Sequence, residues 1–116
     1  MKAVGYQKSL PVDDANSLFD FEAANPEPKG RDIRVAVKAI SANPVDYKVR
    51  KRAAPPAGET KILGYDAAGI VDAVGPGSRR FAVGERIGVA WLATTCRTCR
   101  FCRADRENLC VAPTFT

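Results

Sequence analysis

Four cysteines stand close together in this chain, Cys96-Arg97-Thr98-Cys99-Arg100-Phe101-Cys102 followed by Cys110, a spacing of C-x2-C-x2-C-x7-C. Thiolates this near in sequence can place their sulfurs about 2.3 Å from one tetrahedral Zn²⁺, and a closed four-sulfur shell leaves no position for water. The expected site is structural: one Zn²⁺ on Cys96, Cys99, Cys102 and Cys110, folding a loop too short to build its own core. The bacterial ferredoxin run C-x2-C-x2-C-x3-C-P has a much shorter final gap. An iron–sulfur cluster, disulfides and buried free thiols stand as the alternatives, although four thiols spaced by arginines and threonines do not resemble isolated core cysteines.

The chain contains no histidine. That removes every imidazole base, proton shuttle and metal ligand, and with them the serine-histidine and cysteine-histidine mechanisms. Any metal site must use thiolates or carboxylates. Eighteen Lys and Arg against thirteen acids give a net charge of +5, but the basic residues are scattered except for Arg97, Arg100, Arg103 and Arg106 among the cysteines. Four thiolates on one Zn²⁺ leave a charge of −2, which these arginines would offset. The surplus therefore reads as a solvated face, with no nucleic-acid partner. No apolar run approaches the ~20 residues of a membrane span, so no membrane partner is expected either. Met1-Lys2-Ala3-Val4-Gly5-Tyr6 lacks the features of a secretory signal, and the expected compartment is the cytoplasm, where disulfides are disfavoured.

The elements that must position these residues are short. Lys2 to Tyr6 and Ser17 to Ala23 read as strands around a turn-rich stretch with Pro11, Asp13, Asp14 and Asn16, a hairpin-like pair. Asn25 to Gly30 is a loop by its prolines and glycine, and Asp32 to Ile40 alternates as a half-buried strand. Asn43-Pro44 can open a brief helix through about Arg52, with Asn as the cap and Pro in the first helical position. Arg52 to Lys61 reads as a surface loop, Ala67 to Val74 as a strand, Gly75 to Ser78 as a break, and Phe81 to Val89 as a turn and another strand. Gly75-Pro76-Gly77 lacks the third glycine and the following helical pattern of a dinucleotide loop. A chain of this length should bury roughly two-thirds of its unfolded surface in one core. The pattern is mainly β and barrel-like, with one short helix.

Cys96 to Cys110, with its Arg106-Glu107-Asn108-Leu109-Cys110 ending, resembles the structural-zinc lobe of zinc-dependent alcohol dehydrogenases in the medium-chain dehydrogenase/reductase superfamily. The rest is similar to that superfamily's GroES-like catalytic domain through Val37-Lys38-Ala39-Ile40-Ser41-Ala42-Asn43-Pro44-Val45-Asp46, Gly64-Tyr65-Asp66-Ala67-Ala68-Gly69-Ile70-Val71 and Phe81-Ala82-Val83-Gly84-Glu85-Arg86. The resemblance implies a partly open GroES-like barrel over residues 1–90 and a zinc lobe over 91–116, both in one domain. It also implies that Asn43 and Tyr65 stand where zinc alcohol dehydrogenases carry a Cys and a His on a catalytic zinc, and that Val45 replaces a proton-relaying hydroxyl. Asn-Pro-Val-Asp and Gly-Tyr-Asp resemble instead the zinc-independent quinone oxidoreductase branch, which reduces quinones or enones with NADPH.

The expectation is therefore a catalytic-domain fragment of an NAD(P)-dependent oxidoreductase, cut before its Rossmann domain or joined from two related genes near Gly84 to Val89, and inactive alone. NAD(P) and a small-molecule substrate belong to a full-length parent, with Asn43, Asp46, Tyr47 and Tyr65 as candidates for lining the substrate cleft. Self-association through exposed strand edges is a further expectation. The alternative is a non-enzymatic zinc-stabilised binding module or the product of a decayed gene.

Overall fold

The computed structural model describes residues 1–115. Strand β1 (Lys2–Tyr6) is the middle of a three-stranded antiparallel sheet with β2 (Phe19–Glu22) and β4 (Lys61–Ile62). A second three-stranded sheet is centred on β5 (Asp66–Val74), flanked by β3 (Ile33–Ser41) and β6 (Arg86–Val89). The lobe adds a two-stranded ladder of β7 (Leu92–Thr94) and β8 (Thr114–Phe115). Helix α1 (Pro44–Arg52) connects β3 to β4 and is the one α-helix among the described residues. The mainly β, partly open architecture agrees with the sequence, and the hairpin, α1 and β5 lie within two residues of their expected bounds.

Pairing of β3 with β5 demands close backbones. A Cβ on Gly69 would fall 2.4 Å from the Ala36 carbonyl oxygen and 2.7 Å from Val35 Cγ1, so only glycine fits there. The ladder slips between Arg34 and Val35 and again between Val37 and Ala39. Such irregularities bend a strand and turn its side chains. They explain why β3 is not the regular half-buried strand its alternation suggests: its first four residues are partly covered and the last five are exposed, Ile40 at 77%.

Tyr6 of β1 and Val71 of β5 are the fully buried large side chains. Tyr6 also fixes the helix. Its hydroxyl donates to the Ala53 carbonyl at 2.9 Å, Ser9 Oγ donates to the Arg50 carbonyl at 2.7 Å, and the buried Arg50 donates through Nη1 to the Leu10 carbonyl at 2.8 Å. Two carbonyls at the helix end, which have no partner within the helix, are thereby satisfied by β1 and the loop after it.

The exposed surface is 8680 Å², against about 6200 Å² for a compact monomer of this mass. The Cα radius of gyration is 16.0 Å, above the ~13 Å of a compact domain of about 100 residues. The expected two-thirds burial is therefore not reached. The physical reason is that apolar side chains on both larger sheets, Val4, Val37, Ile40, Ile62 and Ile70 among them, face outward without a covering layer.

Burial first, and the neighbouring Tyr65 second, raise the Tyr6 phenol above its ordinary 10.0, with Arg50 opposing. A raised acid contributes stability that is fully present below the unfolded value and is lost as pH climbs past it. Tyr6→Phe should cost roughly 1–3 kcal/mol in urea denaturation at neutral pH, because the Ala53 carbonyl loses its donor. The variant should also lose less stability than the parent as pH rises above about 10. An unchanged midpoint would contradict this role.

Candidate metal centre and cleft

The cysteine loop is closed at its base by the β7–β8 ladder, in which Leu92 faces Phe115 and Thr94 faces Thr114. The two threonine hydroxyls lie 2.6 Å apart, and Trp91 stacks on Phe115 with ring centroids 4.9 Å apart and planes 14° from parallel. Neither strand was evident from sequence, since each is only two or three residues long. Within the loop the backbone makes two 3-10 turns, Cys102–Ala104 and Glu107–Leu109. Arg97 takes a left-handed φ of 59°, and the turn it makes brings the Cys99 N–H to 3.3 Å from Cys96 Sγ.

The four cysteines, all free thiols, converge: their Sγ atoms lie within 4.8 Å of one another. Cys99 and Cys102 sulfurs are 3.5 Å apart, Cys96 and Cys102 sulfurs 3.9 Å. Four sulfurs about 2.3 Å from one tetrahedral ion would sit about 3.8 Å from each other, so this spacing fits Zn²⁺. Backbone N–H groups supply the surrounding layer. Cys96 N–H points to Cys110 Sγ at 3.3 Å and Ala112 N–H to the same sulfur at 3.4 Å.

Such donors favour thiolates. The Thr98 and Cys99 N–H groups and the Thr98 side chain pull the Cys96 thiol down from 9.0 to about 6. The Cys102 and Val111 N–H groups lower Cys99 as well. Burial, followed by the sulfurs of Cys99 and Cys110, pushes Cys102 up to about 11. One thiolate is thus already present at neutral pH, and a cation would stabilise the rest.

The cleft candidates divide. Asn43 caps α1: its N–H donates to Asp46 Oδ2 at 2.8 Å, and its Nδ2 donates to Asp66 Oδ2 at 2.8 Å and to the Ser41 carbonyl at 3.4 Å. Asp46 Oδ1 is buried with no partner among the described residues. Tyr47 follows on the helix with its ring exposed. Tyr65 is half-buried after Gly64, whose φ of 101° turns the chain into β5, and it lies near enough to Tyr6 to raise its pKa. Asn43 and Asp46 are therefore joined directly, and Asn43 reaches Asp66, the residue after Tyr65, while Tyr65 itself neighbours Tyr6.

Asp66 and Trp91 were missed as site residues, although Asp66 Oδ1 accepts the Trp91 N–H at 3.0 Å. The available signal was an acidic residue opening a strand immediately after the Gly64-Tyr65 turn. Two concavities, of about 520 and 590 Å³, lie beside Arg80, Thr94, Arg97 and Cys102 and over Lys38, Ile70 and Arg86 respectively; neither is lined by the four cleft candidates.

In the chelated chain at neutral pH, limited iodoacetamide alkylation should modify Cys96 first and Cys102 last, because thiolate content governs the rate. Lowering the pH through about 6 should slow Cys96 labelling without costing it first place, and raising the pH towards about 11 should close its lead over Cys102. Peptide mapping that found equal labelling of all four would contradict the arrangement.

A family model, the alcohol dehydrogenase GroES-like domain, matches residues 29–116. A zinc-type alcohol dehydrogenase-like protein of Staphylococcus aureus is 38% identical over 85 residues, 73% of this chain and 25% of that protein. A Rhizobium etli structure assigned to the zinc-dependent alcohol dehydrogenases is 50% identical at TM-score 0.75, over 82% of this chain and 27% of that one. Escherichia coli quinone oxidoreductase, solved with NADPH, is 29% identical at TM-score 0.66, over 80% of this chain and 28% of that one. The chain thus spans about a quarter of the length of these relatives. It belongs to the alcohol dehydrogenase GroES-like domain family, within the medium-chain dehydrogenase/reductase superfamily.

Proposed function

We propose that this chain is the metal-stapled, cleft-forming part of an NAD(P)-dependent oxidoreductase of the alcohol dehydrogenase and quinone reductase type, with one structural zinc on Cys96, Cys99, Cys102 and Cys110. The observation that carries the reading is the convergence of four sulfurs at the spacing of a single tetrahedron. When bound, the ion supplies no reaction step; it crosslinks residues 91–116 and gives that lobe its order.

Hydride transfer would fall to the rest of a longer protein, with Asn43, Asp46, Tyr47 and Tyr65 contributing to a substrate cleft completed there. Asn43 and Asp46 fix the start of α1, and Tyr47 and Tyr65 offer hydroxyls and ring faces to a planar acceptor. A quinone or enone suits this lining better than an alcohol. The places of two catalytic-zinc ligands hold Asn43 and Tyr65, and neither replaces a thiolate or imidazole as a zinc ligand. The relatives are about three times as long as this chain, and in this reading NAD(P) binding falls to the part of them that the chain does not match. The uncovered strand faces around Ile40 and Ile70 favour a surface that meets further protein. The same faces would serve a non-enzymatic binding module, the second reading.

Metal analysis of the chain purified from zinc-replete medium should give close to one zinc per molecule, and Cys99→Ser should lower it sharply. Two tightly bound zincs, or none, would contradict the assignment. The 116-residue chain alone should show no steady oxidation of NADH or NADPH with a quinone, because orientation of the nicotinamide supplies roughly 7–11 kcal/mol of the barrier lowering. Turnover by the isolated chain that Tyr65→Phe abolishes would overturn the division of labour and favour a complete enzyme.

A further inference from the structure

We propose that Asp66 is the positioning residue that joins the cysteine lobe to the cap of the cleft helix, so that ordering the lobe fixes the Asn43 amide. The proposal rests on the metal reading above for the ordering step, and on hydrogen-bond geometry for the link itself. One carboxylate faces two ways: Oδ1 accepts the Trp91 N–H at 3.0 Å, and Oδ2 accepts Asn43 Nδ2 at 2.8 Å. Trp91 immediately precedes β7 and stacks on Phe115 of β8, so it belongs to the base of the cysteine loop. Asn43 holds Asp46, and both stand at the first turn of α1.

The anchor of this link does not move easily. Asp66 is the first residue of the central strand β5, paired with Ser41 of β3, and the next residue, Ala67, pairs with Val89 of β6. With its Nδ2 protons directed to Asp66 and the Ser41 carbonyl, Asn43 has one amide orientation, nitrogen toward β5. Hydrogen bonds to a charged acceptor are among the stronger ones, and two on one carboxylate couple their donors through a shared partner. An amide in place of Asp66 has one acceptor oxygen, so Asp66→Asn keeps the volume but cannot serve Trp91 and Asn43 together.

The test is amide hydrogen exchange and ¹⁵N spectroscopy on the full chain, with zinc and after chelation. In the parent, chelation should speed exchange at the Trp91 amide and shift the Asn43 side-chain amide resonance together. In Asp66→Asn one zinc should still bind and Trp91 should still respond, but the Asn43 resonance should no longer follow. An Asn43 response that persists in Asp66→Asn, or that is missing from zinc-loaded parent upon chelation, would overturn the proposal.

If the parent binds no zinc, the metal reading fails, and the link is judged on the metal-free chain. There Asp66→Asn should loosen the Trp91 and Asn43 amides together, by roughly tenfold or more in exchange rate, and loosening of one or neither would overturn it. Should Asp66→Asn not fold, Asn43→Ala tests the same link from the other end. Coupling is reciprocal, so it should speed exchange at the Trp91 amide, and an unchanged rate there would count against the proposal.

Discussion

Four sulfurs within 4.8 Å of one another are the constraint on which the lobe from Trp91 onward depends. Beyond the short β7–β8 ladder at its base, the segment that carries them buries little: Arg97, Arg100, Arg103 and Arg106 are exposed, and Leu109 and Val111 leave much of their surface in water. Fixing such a loop costs about 1–2 kcal/mol of backbone entropy per residue, which scattered turn hydrogen bonds do not offset. A structural zinc can supply on the order of 10 kcal/mol. The backbone donors around Cys96, Cys99 and Cys110, and the arginines beyond them, suit the negative charge such a centre would carry.

The remainder is organised around β5. Gly69 lets β3 approach, Val71 fills the core, and Asp66 at the strand's first residue ties both the helix cap and the lobe. Helix α1 is pinned at its far end by Tyr6 and Ser9, and its first turn, with Asn43 and Asp46, is tied to β5 through Asp66. The large exposed area of the two main sheets accords with a domain that occupies about a quarter of its relatives' length.

Much of this was legible in the residues themselves. Asn43-Pro44 marked the start of α1 because an amide cap and a proline at the first helical position are both favoured there, and the observed helix runs from Pro44 to Arg52. The cysteine spacing announced a converging cluster because short intervals leave four thiols little room to diverge. Other features were not legible. β4, β7 and β8 are too short for any periodicity to register, and the bulges in β3 broke a pattern that read as regular. Asp66, though part of the Gly64-Tyr65-Asp66 motif, was not read as a site residue because its role comes from partners 23 and 25 residues away, Asn43 and Trp91, and no local pattern encodes such a pairing.

The central claim is that the four cysteines form one closed metal shell, and X-ray absorption at the zinc edge of the purified chain tests it most directly. The account predicts a single shell of four sulfurs about 2.3 Å from the ion, with no oxygen or nitrogen among the nearest neighbours. A mixed shell of two or three sulfurs with oxygen at about 2.0–2.2 Å would contradict it, because the ion would then hold an open position and the lobe could not be stapled as described.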